Sequence, residues 1–249
     1  MSPPLFWVDE VPPAGATTSV SGPEGRHAVT VARLRAGELL LLGDGAGSLA
    51  ECEVMAIEGK ESLTAVAHRY TFTDRPRPAV SLVQALPKSE RSELAVDLAT
   101  EAGIDVIVPW QSARCVSRWV GKADKGVAKW RAAASAAAKQ SRRPWIPDVL
   151  DLASTIDVRA RAAQVIADGG VVLVLHEEAG VSVRDVELTT AAEIMLVVGP
   201  EGGLDDSEIA DLTALGARSV ILGPEVLRTS TAAAVALGAL GVLTGRWAR

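Results

Sequence analysis

The sequence predicts an α/β protein in which a mostly parallel sheet, covered by helices on both faces, follows a small β-rich module. Near-continuous runs of Val, Ile and Leu alternate with helix-like segments from about residue 80 onward, which is typical of strands buried on both faces. Before that point the apolar segments are short and alternate with polar residues. A linker with the sequence TDRPRP (73–78) separates the two patterns.

The N-terminal module is predicted from hairpin signals. The segment LLLLGDGAG (39–47) is typical of a strand that enters a tight turn at Asp44-Gly45. Residues 50–59 and 62–72 alternate apolar and polar side chains, as half-buried strands do. Between an early strand and these hairpins, GRHAVTVARLRAG (25–37) predicts one short helix closed by Gly37.

The larger part of the chain alternates predicted strands and helices. Apolar runs predict strands at 80–86, 105–110, 171–177, 194–198 and 219–222. Amphipathic or alanine-rich segments predict helices at 88–103, 122–141, 152–170 and about 229–243, with a further helix starting near Asp205. Such an order favours a parallel sheet with helical crossovers.

Composition excludes several classes of function. The net charge of −6 argues against a chain that binds nucleic acid through its overall charge, although a local basic face would still suffice. The N-terminus lacks the pattern of a signal peptide, and the longest apolar stretch, 232–243, is about half the length that spans a bilayer. Cys52 and Cys115 form no CxxC pair, which argues against a metal site and fits a reducing, cytoplasmic setting.

Two Gly-Pro turns, Gly199-Pro200 and Gly223-Pro224, each follow an apolar strand. Because ligands of open α/β sheets bind where strands end, the two turns suggest one pocket built mainly from backbone. The first turn, GPEGGLDDSE (199–208), is rich in glycine and has capping-box spacing at Asp205 and Glu208. A plain strand-to-helix turn without a ligand is the alternative, since neither G-x-G-x-x-G nor a P-loop lysine is present.

The second turn, LGPEVLRTSTAAA (222–234), offers the hydroxyls of Thr229, Ser230 and Thr231 as helix caps, and Arg228 precedes them. Exposed N–H groups at that helix end could receive a carboxylate. An ordinary cap beside a solvated arginine is the alternative. His176, at the end of another strand, fits a base, a hydrogen-bond donor or a structural residue.

Basic residues cluster in two segments. One cluster lies in the N-terminal module, and the other ends the alanine-rich helix beside Pro144 and Trp145. Their members are Arg26, His27, Arg33 and Arg35 in the first and Lys139, Arg142 and Arg143 in the second. Cations beside an aromatic ring suit phosphate contact and base stacking, while a solvated helix end is the alternative. No Ser/His/Asp or Cys/His set has a spacing that supports a hydrolase.

Several ordered motifs resemble the 16S ribosomal-RNA uracil-N3 methyltransferases, the ribosomal RNA small subunit methyltransferase E family of the SPOUT superfamily. The most specific are VVGPEGGL (197–204) and LGPEVLRTSTAA (222–233). Earlier segments are also similar to the family, namely RHAVTVARLRAG (26–37), LVQALPKSERSELAVDLATEAGIDVIVPWQSARCV (82–116) and KWRAAASAAAKQSRRPWIPDV (129–149). The resemblance therefore covers nearly the whole chain.

This resemblance implies a PUA-like RNA-binding β-barrel over residues 1–73 and a SPOUT methyltransferase domain over 74–249. It further implies a trefoil knot with the cofactor pocket at about 171–243, S-adenosyl-L-methionine as cofactor, a homodimer, no metal and a cytoplasmic location. The implied cofactor contacts are Leu175, His176, Gly199, Glu201, Gly202, Leu222, Gly223, Leu227, Arg228 and Thr229.

The expected reaction is methylation of N3 of a uridine in 16S rRNA of the small ribosomal subunit. We expect Arg228 to stabilise the uracil anion and Glu201 to accept the N3 proton. Phosphate contacts are expected from Arg26, Arg33, Arg35, Arg142 and Arg143. Two positions depart from the family's pattern: Glu225 stands where a basic residue is common, and Ser230 where an acidic one is, which puts any role of that acid in proton removal in question.

Three alternatives stay open. Another SPOUT RNA methyltransferase, acting on tRNA or on a ribose 2′-hydroxyl, would share the pocket and differ in its substrate. A non-catalytic RNA-binding protein of ribosome assembly would keep the fold without the chemistry. A nicotinamide-dependent enzyme is disfavoured by the missing glycine fingerprint.

Overall fold

The computed structural model describes residues 3–247, and for residues 89 and 90 it describes the backbone alone. The chain divides into two compact units. One unit holds the chain up to Arg75 together with Ala138–Ile146, and the other holds Pro76–Ala137 and the chain from Pro147 onward. The predicted division at 73/74 stays a prediction, and it did not anticipate that residues 138–146 belong with the N-terminal unit.

The N-terminal unit is built on one five-stranded sheet. Its strands are β1 (Leu5–Trp7), β2 (Thr17–Val20), β3 (Leu39–Gly43), β4 (Ser48–Glu58) and β5 (Ser62–Phe72). The strand order is β1-β3-β4-β5-β2, with β1 parallel to β3 and the other pairs antiparallel. Alternate residues such as Leu40, Leu42, Cys52 and Val54 are buried, as the period of a strand requires. Closure of these strands into a barrel stays a prediction.

The predicted turn at Asp44-Gly45 joins β3 to β4. One carboxylate oxygen of Asp44 accepts hydrogen bonds from the backbone N–H groups of Ala46 (2.7 Å) and Ser48 (3.0 Å). Gly45 and Gly47 have φ values of +69° and +106°, a region that favours glycine. Local turn chemistry therefore explains why this corner is readable in the sequence.

The predicted helix over 25–37 is wrong in its bounds. Helix α1 spans Gly22–Arg26 and continues as a π-helical turn over His27–Val31. Arg33 ends it with φ +57°, and the Leu34 N–H donates back to the carbonyl of Ala28 at 3.0 Å. The helix thus closes six residues before its predicted end, because a left-handed arginine takes the role expected of Gly37.

The C-terminal unit contains a six-stranded parallel sheet. The strands are β6 (Ala79–Ala85), β7 (Val106–Trp110), β8 (Asp148–Val149), β9 (Val171–Leu175), β10 (Glu193–Val198) and β11 (Arg218–Val220). Their order is β11-β9-β10-β6-β7-β8, and every pair is parallel. The helices are α2 (Ser89–Glu101), α3 (Ala123–Gln140), α4 (Thr155–Ala167), α5 (Asp206–Ala214) and α6 (Thr229–Leu243). The predicted α/β class with a mostly parallel sheet is confirmed.

Burial follows the continuous apolar runs. Residues 194–198 of β10 are each at most 3% exposed, as expected for a central strand covered on both faces. Because β11, β9, β10 and β6 are neighbours in that order, the loops that follow them leave the same edge of the sheet. Over residues 3–247, no helix has the length and apolar character needed to cross a membrane.

Candidate functional site

A cavity of about 590 Å³ lies at the carboxyl edge of the parallel sheet. Eight of the ten residues expected to contact a cofactor line it: Leu175, His176, Gly199, Glu201, Gly202, Leu227, Arg228 and Thr229. The other two, Leu222 and Gly223, line a recess of about 80 Å³. The two spaces have Leu175, His176 and Leu227 in common, so the structure brings all ten positions to one site.

The loop after β10 forms one wall of the cavity with little side-chain bulk. A Cβ on Gly199 would lie 3.0 Å from the Leu204 side chain, and Gly203 has φ +73°. The Gly203 N–H donates to the carbonyl of Pro200 at 2.9 Å, which closes the turn. A side chain at 199 would therefore be crowded by Leu204, and the conformation at 203 favours glycine.

The start of α5 holds this loop in place. Asp205 and Glu208 form the predicted capping box, and the Glu208 carboxylate, 4% exposed, also accepts the Ala113 N–H at 2.9 Å. Arg114 forms an ion pair with Asp205 at 3.2 Å and lines the cavity. The Ser207 hydroxyl and amide, with a smaller contribution from Arg114, hold the pKa of Asp205 below its ordinary value. Sequence reasoning did not single out Arg114.

A buried hydrogen-bond chain joins three strand-end segments. Gln84, fully buried on β6, donates to the Thr229 hydroxyl at 3.0 Å, and that hydroxyl donates to the Gly199 carbonyl at 2.6 Å. The Gln84 Oε1 atom is buried and has no hydrogen-bond partner among residues 3–247. A buried acceptor left unpaired costs free energy, so a donor from a ligand or a water molecule would be stabilised at this corner.

The predicted hydroxyl cap of α6 is wrong. The N-cap residue is Arg228, whose side chain makes no capping hydrogen bond. Thr229 instead donates to Gly199, and the Thr231 hydroxyl donates to the Arg228 carbonyl at 3.1 Å. The amide groups at the start of α6 therefore keep no side-chain cap among the described residues, and Arg228 is exposed on the cavity wall.

The two residues with expected catalytic roles line the same cavity. Glu201 is exposed, and one of its carboxylate oxygens accepts the backbone N–H of Lys88 at 3.0 Å. A carboxylate has about four lone-pair sites, so this contact leaves acceptor capacity for a substrate proton. The backbone N–H of His176 donates to the Val220 carbonyl at 3.1 Å, which fixes the backbone there, and the residue lines the cavity.

The two departures from the family's pattern differ in position. Ser230 is 2% exposed, inside the first turn of α6. Glu225 is exposed and lines the smaller recess. A side chain buried at 230 is poorly placed to meet a substrate, which favours a structural role there.

The residues expected to contact RNA lie in the N-terminal unit. Of these, Arg142 lines a cavity of about 640 Å³ together with His27 and Lys139. The Lys139 ammonium contacts the Glu24 carboxylate, donates to the His27 ring at 3.0 Å and lies 4.9 Å from the centre of the Phe6 ring. Arg26, Arg33, Arg35 and Arg143 are not among the residues that line this cavity.

The two cysteines are buried and form no disulfide bond. Burial raises the pKa of the Cys52 thiol to about 11. A thiol with so high a pKa is a poor nucleophile at neutral pH. Among the residues that the structure describes, no group of three or more His, Cys, Asp or Glu side chains could hold a metal ion.

Two family models match consecutive parts of the chain. Residues 74–241 match the model of an RNA methyltransferase domain, and residues 20–67 match that of an RNA methyltransferase PUA domain. The fold and the strand-end cavity thus define the class: an RNA methyltransferase with an N-terminal PUA domain. A ribosomal RNA small subunit methyltransferase E from Mycobacterium bovis is 54% identical over 98% of this chain and 93% of its own length. The chain belongs to the ribosomal RNA small subunit methyltransferase E family.

Relatives at lower sequence identity belong to the same family or share the fold. The Bacillus subtilis ribosomal RNA small subunit methyltransferase E is 30% identical over 95% of this chain and 93% of its own length. The crystal structure of the Neisseria gonorrhoeae ribosomal RNA small subunit methyltransferase E, bound to S-adenosyl methionine, has a TM-score of 0.85 at 25% identity and covers 98% of each chain. A Legionella pneumophila structure in complex with the same cofactor has a TM-score of 0.81 at 26% identity, covering 98% of this chain and 99% of that one.

Proposed function

We propose that this chain transfers a methyl group from S-adenosyl-L-methionine to N3 of a uridine in 16S rRNA of the small ribosomal subunit. The observation that carries the proposal is the gathering of Leu175, Gly199, Leu222 and Arg228, with the other expected contacts, around one cavity. Family membership supports the methyl transfer and the ribosomal substrate.

The residues present fit this cofactor. Glycine-rich loops let main-chain amides and carbonyls approach a ligand closely, and apolar side chains such as Leu175 and Leu227 suit an adenine ring. Carboxylates of Glu177, Glu178 and Glu201 line the cavity and complement a positive charge. When bound, S-adenosyl-L-methionine supplies an electrophilic methyl group on a sulfonium.

Arg228 and Glu201 provide the acid–base part of the mechanism. Glu201 accepts the N3 proton, and the electron pair left on N3 forms the new bond to the methyl carbon while the carbon–sulfur bond breaks. Arg228 stays protonated and donates to a uracil oxygen as negative charge develops there. Holding the base and the donor in one cavity also removes the cost of bringing them together in water.

We also propose the trefoil knot that the family implies. After β11, at the sheet edge, the chain places Thr229 against Gln84 on β6, so it crosses past β9 and β10. Such a return across the sheet is what a threaded loop requires. We also propose the homodimer that the family implies. Apolar side chains of α2 and α6 are available for its interface, with Leu94 44%, Val235 46% and Val242 78% exposed. A small-subunit substrate implies a cytoplasmic location.

A methylation assay tests the proposed function. Purified protein with labelled S-adenosyl-L-methionine is expected to label small ribosomal subunits or free 16S rRNA, and nucleoside mass spectrometry is expected to find 3-methyluridine. A different methylated nucleoside would indicate another RNA methyltransferase. Absence of cofactor binding by calorimetry would favour a non-catalytic RNA-binding protein.

The Gln84 chain gives a second prediction. Gln84→Leu removes the donor to Thr229, which positions the Gly199 carbonyl, and should weaken cofactor binding about tenfold because a buried hydrogen bond and its geometry are lost. Calorimetry with S-adenosyl-L-methionine measures the change. Gln84→Met also lacks the donor but has an unbranched side chain, so it should show the same loss if the hydrogen bond rather than the side-chain shape matters. Unchanged affinity for S-adenosyl-L-methionine in both variants would show that the hydrogen bonds from Gln84 through Thr229 to Gly199 do not position the cofactor site.

A further inference from the structure

A second depression in the C-terminal unit lies outside the cofactor cavity. It has a volume of about 340 Å³ and lies between the start of α2, the segment 117–122 and the first turns of α3. We call it the cationic groove, and its charged and aromatic lining comprises Arg118, Lys122, Lys125, Lys129, Trp119, Trp130 and Glu93. Sequence reasoning assigned these residues no role.

Positive charge dominates the groove. Arg118, Lys122, Lys125 and Lys129 are exposed, and none forms an ion pair with the side chains that the structure describes. Glu93 is the opposing carboxylate on the lining. In a chain whose net charge is −6, four cations without a partner at one depression indicate a site for a polyanion.

An aromatic ring is fixed on the same wall. Trp119 packs edge-to-face against Trp130, with ring centroids 5.3 Å apart, and Trp130 donates to the Ser92 hydroxyl at 2.8 Å. A Cβ on Gly126 would lie 2.5 Å from the Trp119 ring, so glycine lets the ring lie against α3. Cations beside a half-buried, immobilised indole are the combination that binds single-stranded nucleic acid.

The cationic groove adjoins the cofactor cavity along two segments. On α2, Arg91 lines the cavity and the next residue, Ser92, lines the groove, about 3.8 Å away between Cα atoms. In the following loop, Arg114 lines the cavity and Ser117 lines the groove, at most about 11 Å apart. The two spaces are therefore lined by neighbouring stretches of the chain, as binding of one RNA strand to both requires.

We propose that the cationic groove binds the sugar-phosphate backbone of the substrate RNA strand beside the methylated uridine, and that Trp119 stacks on one of its bases. The inference rests on the proposed function. It assigns RNA binding to the C-terminal unit as well, besides the RNA binding expected of the N-terminal unit. The partner is single-stranded or opened RNA, since a stacking ring needs an unpaired base.

The salt dependence of RNA binding tests this proposal. Lys122→Gln/Lys125→Gln/Lys129→Gln removes three cations while keeping polar, unbranched side chains of similar helix propensity. Binding to an unmodified 16S rRNA transcript, measured over a salt series, should lose about 2 from the slope of log affinity against log salt, since each phosphate contact contributes about 0.7. Affinity for S-adenosyl-L-methionine should not change. Arg218→Gln, an exposed cation at the start of β11, is the control and should keep the slope.

Two results would overturn the proposal. One is a triple variant whose salt slope equals that of the unmodified chain. The other is weaker binding of the triple variant to assembled subunits without weaker binding to the transcript, which would indicate an acidic protein partner. Trp119→Leu should weaken transcript binding about tenfold and leave the slope unchanged. Methyl transfer by the unmodified chain is measured in parallel, so that a failure of the proposed function is seen separately from a failure of the groove.

Discussion

Arg228→Ala is expected to lower kcat about 100- to 1,000-fold, because it removes a charged donor that acts on the oxygen where negative charge develops. Arg228 is exposed on the cavity wall as the N-cap residue of α6, and its side chain makes no capping hydrogen bond. The substitution therefore removes little from the fold. Single-turnover methylation and calorimetry with S-adenosyl-L-methionine separate the loss of turnover from any loss of cofactor affinity.

The matched variant Arg228→Lys keeps the positive charge but loses the planar, forked donor geometry. It should recover part of the turnover if charge is what stabilises the uracil anion. Cofactor affinity should stay within about threefold of the unmodified chain in both variants. A loss of affinity as large as the loss of turnover would contradict the proposed role and assign Arg228 to cofactor binding.

Five of the six strands and all five helices described in the C-terminal unit were predictable because their signals are local, whereas the two-residue strand β8 was not predicted. Continuous apolar runs such as 194–198, flanked by helix-like segments, are typical of strands buried on both faces of a covered parallel sheet. The capping box of Asp205 and Glu208 lies within four residues of sequence. The position of a pocket at the sheet edge could be predicted for the same reason, since its loops follow predicted strands and parallel strands end at one edge. The individual contact residues came from the family resemblance.

The features that escaped prediction are non-local. Gln84 and Thr229 are 145 residues apart, and Arg114 meets Asp205 through a loop whose path no local pattern specifies. The excursion of residues 138–146 into the N-terminal unit likewise follows from tertiary contacts, such as the Ile146 N–H donating to the Gly45 carbonyl at 2.9 Å. The helix predicted over 25–37 was placed too far along the chain for another reason. Arg33, which is not a glycine, ends the helical segment by adopting a left-handed conformation against its intrinsic preference.

A buried ion pair near the C-terminus supplies the largest expected effect on stability. Arg246 donates to the Asp105 carboxylate at 2.8 Å, and the two side chains are 5% and 3% exposed. Arg246 also donates to the carbonyls of Gly103 (2.7 Å) and Pro78, while Asp105 accepts the Val80 N–H at 2.8 Å. The pair therefore joins the chain's last described turn to the starts of β6 and β7.

Arg246→Met should lower the free energy of unfolding by about 3–5 kcal/mol, because it leaves the Asp105 carboxylate buried without its cation. Urea unfolding followed by circular dichroism measures the change. Arg218→Met is the matched control, since an exposed arginine should contribute within about 0.5 kcal/mol.

The double variant Asp105→Asn/Arg246→Met separates the buried charge from packing. It removes the uncompensated charge and keeps an acceptor for the Val80 N–H, so it should be more stable than Arg246→Met alone. If the double variant were no more stable, the loss would arise from the carbonyls of Gly103 and Pro78 rather than from the Asp105 charge. Arg246 would then stabilise the fold through its hydrogen bonds to these two carbonyls, and the ion pair with Asp105 would contribute little.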